Sequence, residues 1–345
     1  MEQVVLANSP ERAEHILILD LPGLFEAAKA SAKQVSIWCD DVRDRAHVPA
    51  DHLLKSLDAA SLAGIDLVWM RLPRALGALD EYSELLSHVI SEGGAVVAAG
   101  RNKDLNRSMN KTLERHFGQV SASLGLGKAR ALLACAPLRS SITWPRHKTV
   151  EAAGHEIDLW WHGATFAAGR IDAGTKLMID HLDQVPTSQD TYLDLGCGSG
   201  ILTALLARVN PQSQVFGVDA SWAAVDAARR TLSSPAPAAN ADNHTNANTQ
   251  ALHAADLSAF TDNSLDVIVC NPPFHQGSAK ESAPTIAMFN EAARALKPGG
   301  QFFCVYNSHL PWKARLSSIV GPTTLIAQNR SYTLVRATKE AALGN

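Results

Sequence analysis

The chain has 345 residues, 46% hydrophobic and 19% charged, with a formal net charge of -3. Two domains are expected from that length, and the composition is ordinary for a soluble globular protein. No stretch reaches the roughly 18 apolar residues of a membrane span.

The segment Met1 to Ser9 is neither basic nor followed by a long apolar run, so a signal peptide is not expected and the cytoplasm is the expected location. The five cysteines, Cys39, Cys135, Cys197, Cys270 and Cys304, form no C-x-x-C pair and sit beside small or apolar residues. They read as buried thiols of a reducing compartment. The 13 histidines show no H-x-x-x-H pattern framed by other ligand types, so no metal is expected.

Charge is unevenly placed. Residues 1–150 carry 18 Lys and Arg against 17 Asp and Glu, while residues 151–345 carry 13 against 17. Within residues 101–148, ten basic residues face only Asp104 and Glu114. Such a segment suits a polyanion, with Arg101, Lys103 and Arg107 as the candidate contacts.

In chain order, short apolar runs alternate with helix-like segments through both halves, the pattern of a parallel, doubly wound sheet. The first half holds Asp66-Leu-Val-Trp-Met-Arg-Leu-Pro73, which lies 200 residues before Asp266-Val-Ile-Val-Cys-Asn-Pro-Pro273. Gly93-Gly94 and the run after it mirror Gly299-Gly300 and theirs; Lys128–Leu133 parallels Asn329–Leu334. We read an internal duplication of one Rossmann-like unit. Asp20-Leu-Pro-Gly then stands against Asp194-Leu-Gly-Cys, and Arg71-Leu-Pro-Arg against Asn271-Pro-Pro-Phe, so the first copy has lost its chemistry.

A boundary is expected within Pro137–Val150, giving domains 1–148 and 149–345. In the second, Thr191–Leu195, Gln214–Val218, Leu265–Cys270 and Gln301–Tyr306 read as strands. Ile201–Val209, Ala223–Leu232 and Thr285–Leu296 read as helices. Ser233–Thr249, rich in Ala, Asn, Pro and Ser, reads as a surface insertion.

Chemistry concentrates in the second half. In Tyr192-Leu-Asp194-Leu-Gly196-Cys-Gly198-Ser-Gly200, a strand runs into three glycines and then a helix. Glycine lets backbone approach a ligand, and the helix start presents free N–H groups. The third glycine comes one place too early for a dinucleotide fingerprint. Asp219 after the next strand could accept from ribose hydroxyls. With Asp194 and Asp256, that set of acids fits S-adenosyl-L-methionine, with Asp256 facing the adenine amine.

Asn271-Pro272-Pro-Phe274 closes an apolar strand at the sheet edge where ligands of open α/β sheets bind. An aromatic amine is a poor nucleophile that gains positive charge as it attacks. Asn271 Oδ1 and the Pro272 carbonyl can accept from its N–H groups and stabilise that charge. Phe274 offers a face for base stacking, worth roughly 1–3 kcal/mol. His275 follows as a surface or supporting residue. Asp172 and Thr175, at the start of a helix, either cap it or line the cofactor's methionine end.

These features, Phe166…Asp172-x-Gly174-Thr175, the Gly196/Gly198/Gly200 loop, Asn271-Pro-Pro-Phe-His275 and the Asn307–His309–Leu310 stretch, resemble the bacterial ribosomal RNA guanine-N2 methyltransferases, the RsmC-like group and its large-subunit relatives. The resemblance is strong over about residues 150–338. Between Phe166 and Asp172 that family usually reads Ser-Arg-Asp-Gly-Leu, where Ala167-Ala-Gly-Arg-Ile171 stands here. It implies two methyltransferase-like domains, the N-terminal one degenerate and serving RNA binding or support. It further implies methylation of the N2 amine of a guanine in ribosomal RNA, 16S being the expected target, with Phe166, Phe274 and His275 near the RNA; a monomer is expected. Adenine N6, protein glutamine N5 and a non-catalytic RNA-binding assembly factor are the alternatives.

Overall fold

The computed structural model describes residues 1–59, 62, 64–139, 141–234, 248–272 and 283–340. Much of the expected insertion, residues 235–247, and the candidates Phe274 and His275 lie outside them. The chain divides into two compact units, Met1–Pro145 with His162–Ala164, and Arg146–Trp161 with Thr165–Asn345.

Unit 1 is built on β1 (Ala13–Leu19), β2 (Ala32–Trp38), β3 (Ile65–Arg71), β4 (Ile90–Arg101), β5 (Phe117–Ala122) and β6 (Ala129–Pro137). They form one sheet in the order β2-β1-β3-β4-β6-β5. The first four run parallel and β6 is antiparallel to both its neighbours. Ile16, Ile18, Leu67, Trp69 and Val97 fill the core under the sheet, as expected of strands covered on both faces.

Three carboxylates of the helix Leu76–Val89 close this unit. Glu84 accepts from Thr143 N (2.6 Å), Thr143 Oγ1 (2.7 Å) and Trp144 N (3.1 Å). Glu81 takes His162 Nδ1 at 2.5 Å and Gly163 N at 2.7 Å, while Asp80 takes His116 Nε2 at 2.8 Å. Those bonds explain why His162–Ala164 belongs to unit 1.

Unit 2 opens with the antiparallel pair β7 (Arg146–Ala152) and β8 (His155–Trp161). Its main sheet contains β9 (Thr191–Leu195), β10 (Gln214–Asp219), β11 (Thr249–His253), β12 (Leu265–Cys270), β13 (Leu296–Asn307), β14 (Thr323–Gln328) and β15 (Tyr332–Thr338). The order is β11-β10-β9-β12-β13-β15-β14, parallel from β11 to β13. Apart from the edge strand β11, it repeats the order and directions of unit 1.

The duplication extends to details. Asp66 accepts from His15 N (2.7 Å) at the foot of β1; Asp266 accepts from Thr191 N (3.1 Å) at the foot of β9. A Cβ at Gly94 would lie 2.8 Å from Asp66 O, and one at Gly300 3.1 Å from Asp266 O. The same crossing of backbones thus requires a glycine in both copies.

Strand register corrects two of the sequence alignments. Leu19 pairs with Met70 as Leu195 pairs with Cys270, and Leu19 pairs with Trp38 as Leu195 pairs with Val218. Asp20 therefore matches Gly196, two residues beyond Asp194, whose counterpart is the buried Ile18. Likewise Ala129, facing Arg101, matches Tyr332, facing Asn307, so Lys128 answers to Ser331 rather than Asn329. Arg71 stands at the place of Asn271, as the sequence indicates.

Candidate functional site

The glycine loop forms where β9 ends. Gly196, Gly198 and Gly200 have φ of 79°, 53° and 78°, all in the left-handed region that glycine tolerates best. The N–H groups of Gly196 and Cys197 reach back to Val218 O at 2.8 and 3.1 Å, folding the loop over the end of β10. A Cβ at Gly196 or Gly198 would meet nothing within 4 Å, whereas one at Gly200 would lie 2.9 Å from Ala228 Cα. Two glycines thus leave open space at the sheet edge, and the third lets the helix Trp222–Ser233 pack closely.

Gly200 is the N-cap of the helix Ile201–Val209 and has no side chain with which to cap it. Asp194 does this instead. Its Oδ2 accepts from Thr203 N (3.0 Å) and Thr203 Oγ1 (2.8 Å), satisfying an N–H that the helix leaves unpaired. Burial pushes the Asp194 carboxyl up to about 7 against the lowering effect of both Thr203 bonds, and the charge of Asp219 adds to the rise.

Asp219 closes β10. It accepts from Gly198 N through Oδ2 (3.0 Å) and from Ser221 N through Oδ1 (2.9 Å), which ties the carboxylate to the glycine loop. Asp256 lies beyond β11, exposed, with Oδ1 accepting from Ser258 N at 3.0 Å; Ser258 holds its carboxyl below the usual range.

Asn271 follows β12 directly. Because Cys270 pairs with Leu195, Asn271 emerges beside Gly196 at the carboxyl edge of the sheet. Its Nδ2 donates to Asp172 Oδ1 (3.1 Å), Asp172 Oδ2 (3.2 Å) and Thr175 Oγ1 (3.0 Å). Asp172 also caps the helix Ala173–Ile179, accepting from Gly174 N (2.9 Å) and Thr175 N (3.3 Å). Gly174 lets these groups crowd together: a Cβ there would lie 3.1 Å from Tyr332 Cε1 and 3.2 Å from Asn271 Oδ1. Pro272 is buried next in the chain.

Unit 2 thus brings Asn271, Asp172, Gly174 and Thr175 together at the edge that also carries the glycine loop and Asp219. Phe166 is 71% exposed and lies in a separate turn closed by Ala168 N on Thr165 O. Arg101, Lys103 and Arg107 belong to unit 1, are exposed and form no ion pair among the described residues. Sequence reading assigned Asp172 to the helix cap or the cofactor and missed its grip on Asn271, 99 residues away. Tyr332 beside Gly174 was also missed, since nothing local distinguishes it.

No described helix is long and apolar enough to cross a membrane, and no three described His, Cys, Asp or Glu side chains are grouped to hold a metal.

Residues 156–336 match the methyltransferase small domain, and residues 43–139 match the RLMG N-terminal domain. Fold and glycine loop together therefore define a methyltransferase. Ribosomal RNA large subunit methyltransferase G of Streptomyces avermitilis is 34% identical over 283 residues, 80% of this chain and 72% of that protein. Its namesake in Pseudomonas fluorescens is 32% identical over 280 residues, 81% of this chain and 72% of that one. The chain belongs to the methyltransferase small domain family, in the group of the ribosomal RNA large subunit methyltransferases G. Among solved structures, the T. thermophilus 16S rRNA N2 G1207 methyltransferase RsmC, in complex with AdoMet and guanosine, aligns with a TM-score of 0.80 at 24% identity. That alignment covers 98% of this chain and 91% of the other.

Proposed function

We propose that unit 2 transfers a methyl group from S-adenosyl-L-methionine to the exocyclic N2 amine of a guanine in ribosomal RNA. The observation that carries this reading is the placement of Asn271 beside the open glycine loop, its amide nitrogen already engaged. The large subunit's RNA is favoured over the 16S RNA of the sequence expectation, because relatives at 32–34% identity carry the large-subunit name.

The cradle fits the donor. Open space over Gly196 and Gly198 admits it, Asp219 offers carboxylate oxygens to ribose hydroxyls, and the free N–H groups at the start of Ile201–Val209 favour its carboxylate end. Asp194 serves this site by holding the helix rather than by reaching outward. The polar edge near Asp256 and the hydroxyl of Thr175 complete the proposed cofactor contacts. Once bound, the donor supplies a methyl on a positively charged sulfur, which departs as a neutral thioether.

The protein's own contribution is to aim the acceptor. Asn271 Oδ1 and the Pro272 carbonyl accept from the guanine amine and keep its lone pair on the methyl. They stabilise the positive charge that builds as the N–C bond forms, before a proton leaves the nitrogen for water. Phe274 and His275 are proposed to border the base and Phe166 to meet RNA. The guanine must be unpaired, since its amine is engaged inside a duplex. Arg101, Lys103 and Arg107 of unit 1 are proposed to add salt-dependent affinity for the RNA backbone.

Incubation with cofactor and each ribosomal RNA, followed by nucleoside mass spectrometry, should yield N2-methylguanosine. Asn271→Ala should lower turnover roughly 10²–10³-fold, as removal of one oxyanion-hole donor does. A methylated adenine, a methylated protein or unchanged turnover in the variant would reject the reading.

A further inference from the structure

The amide of Asn271 can sit in two orientations, related by a flip that exchanges oxygen and nitrogen. Only one of them offers an acceptor to an incoming amine. The surroundings choose it. One N–H of Nδ2 faces the paired oxygens of Asp172 at 3.1 and 3.2 Å, and the other faces Thr175 Oγ1 at 3.0 Å. An ionised carboxylate accepts and never donates, so the flipped amide would set oxygen against oxygen. No described residue donates to Oδ1.

We infer that Asp172 is a positioning residue, which fixes the orientation of Asn271 so that Oδ1 is pre-aimed at the amine. The inference rests on the proposed role of Asn271 and extends it to a residue that reaches the reacting atoms only through that amide.

The arrangement also explains why Asp172 caps a helix of only seven residues, Ala173–Ile179. Oδ1 accepts from Gly174 N and Thr175 N, so the carboxylate cannot swing away from Asn271 without uncapping the helix. The cap and the amide clamp lock each other. Gly174 sits at the crossing, where a methyl group would lie 3.2 Å from both Asn271 Oδ1 and Asp172 Oδ1. Networks of this kind rigidify a site beyond what any one bond achieves.

The test is a double-mutant cycle with Asp172→Asn and Asn271→Ala in the full chain. Asparagine caps helices as well as aspartate does, but its own amide no longer dictates which way Asn271 faces. Asp172→Asn should lower kcat about 10- to 100-fold, by analogy with the loss of a group that orients a metal ligand. KM for the cofactor, KM for RNA and the melting temperature should stay near wild type. Asp172→Ser, which caps but is too short to reach the amide, should match it. If Asp172 acts only through Asn271, the double variant should be no slower than Asn271→Ala alone.

Wild-type kcat in both Asp172 variants would overturn the inference while sparing the role of Asn271. So would additive losses, or a loss confined to cofactor KM. Unchanged turnover in Asn271→Ala would instead remove the reading on which it rests, and the inference with it.

Discussion

Two copies of one sheet share a backbone position that they use in opposite ways. In unit 2 it is Gly196, with φ 79°, its N–H bonded to Val218 O and open space where a side chain would begin. In unit 1 it is Asp20, with φ 55° and its N–H bonded to Trp38 O in the same way. The backbone path is shared; the side chain is not. Asp20 turns its carboxylate onto Asp40 N at 2.8 Å and receives Tyr82 Oη at 3.3 Å, so unit 1 occupies with its own atoms the place that unit 2 leaves open. Loss of a site here means filling it, while the sheet that held it survives.

The strongest way to sharpen this comparison is to move that residue across. Gly196→Asp should keep the fold, because Asp20 already shows an aspartate in that conformation, and aspartate visits it at modest cost. Turnover should fall at least 10²-fold at cofactor concentrations that saturate the wild type, with the melting temperature within a few degrees. Retained turnover would mean that open space at Gly196 has no part in binding.

A smaller effect tests the other side. Burial pushes the Asp20 carboxyl up to about 7 from an ordinary value of 3.8, with the neighbouring Asp40 charge adding to the rise. Between about pH 4 and 7 the folded state therefore holds a proton that the unfolded chain has released. Stability of unit 1 should fall as pH rises through that window and level off above it. Asp20→Asn, which retains an acceptor for Asp40 N, should flatten this slope and raise stability more at pH 8 than at pH 5. Denaturation curves at pH 5 and pH 8 would read it. Equal slopes in wild type and variant would contradict the assignment.

Much of this was legible in the sequence. Strands β9 and β12 and the helix Ile201–Val209 fall within their expected bounds, because apolar runs ending in Gly or Asn-Pro leave little choice. The repeat was legible from Asp66 and Asp266, whose shared task at the foot of the sheet preserves them. The alignment at Asp20 was misled by an Asp-Leu dipeptide common to both copies: the strands match two residues earlier, where Ile18 has replaced the capping acid. Which residues correspond is decided by pairing across the sheet, and a shared dipeptide does not fix it. For the same reason the Asp172–Asn271 clamp was invisible, since each residue has a sufficient local explanation, as a helix cap and a strand end.

The most direct test of the contrast between the units is a calorimetric titration of the intact protein with S-adenosylhomocysteine, the spent form of the proposed donor. One site per chain is expected in the wild type and none in Gly196→Asp. Two sites per chain, or one that persists in the variant, would contradict the division of labour between the two copies.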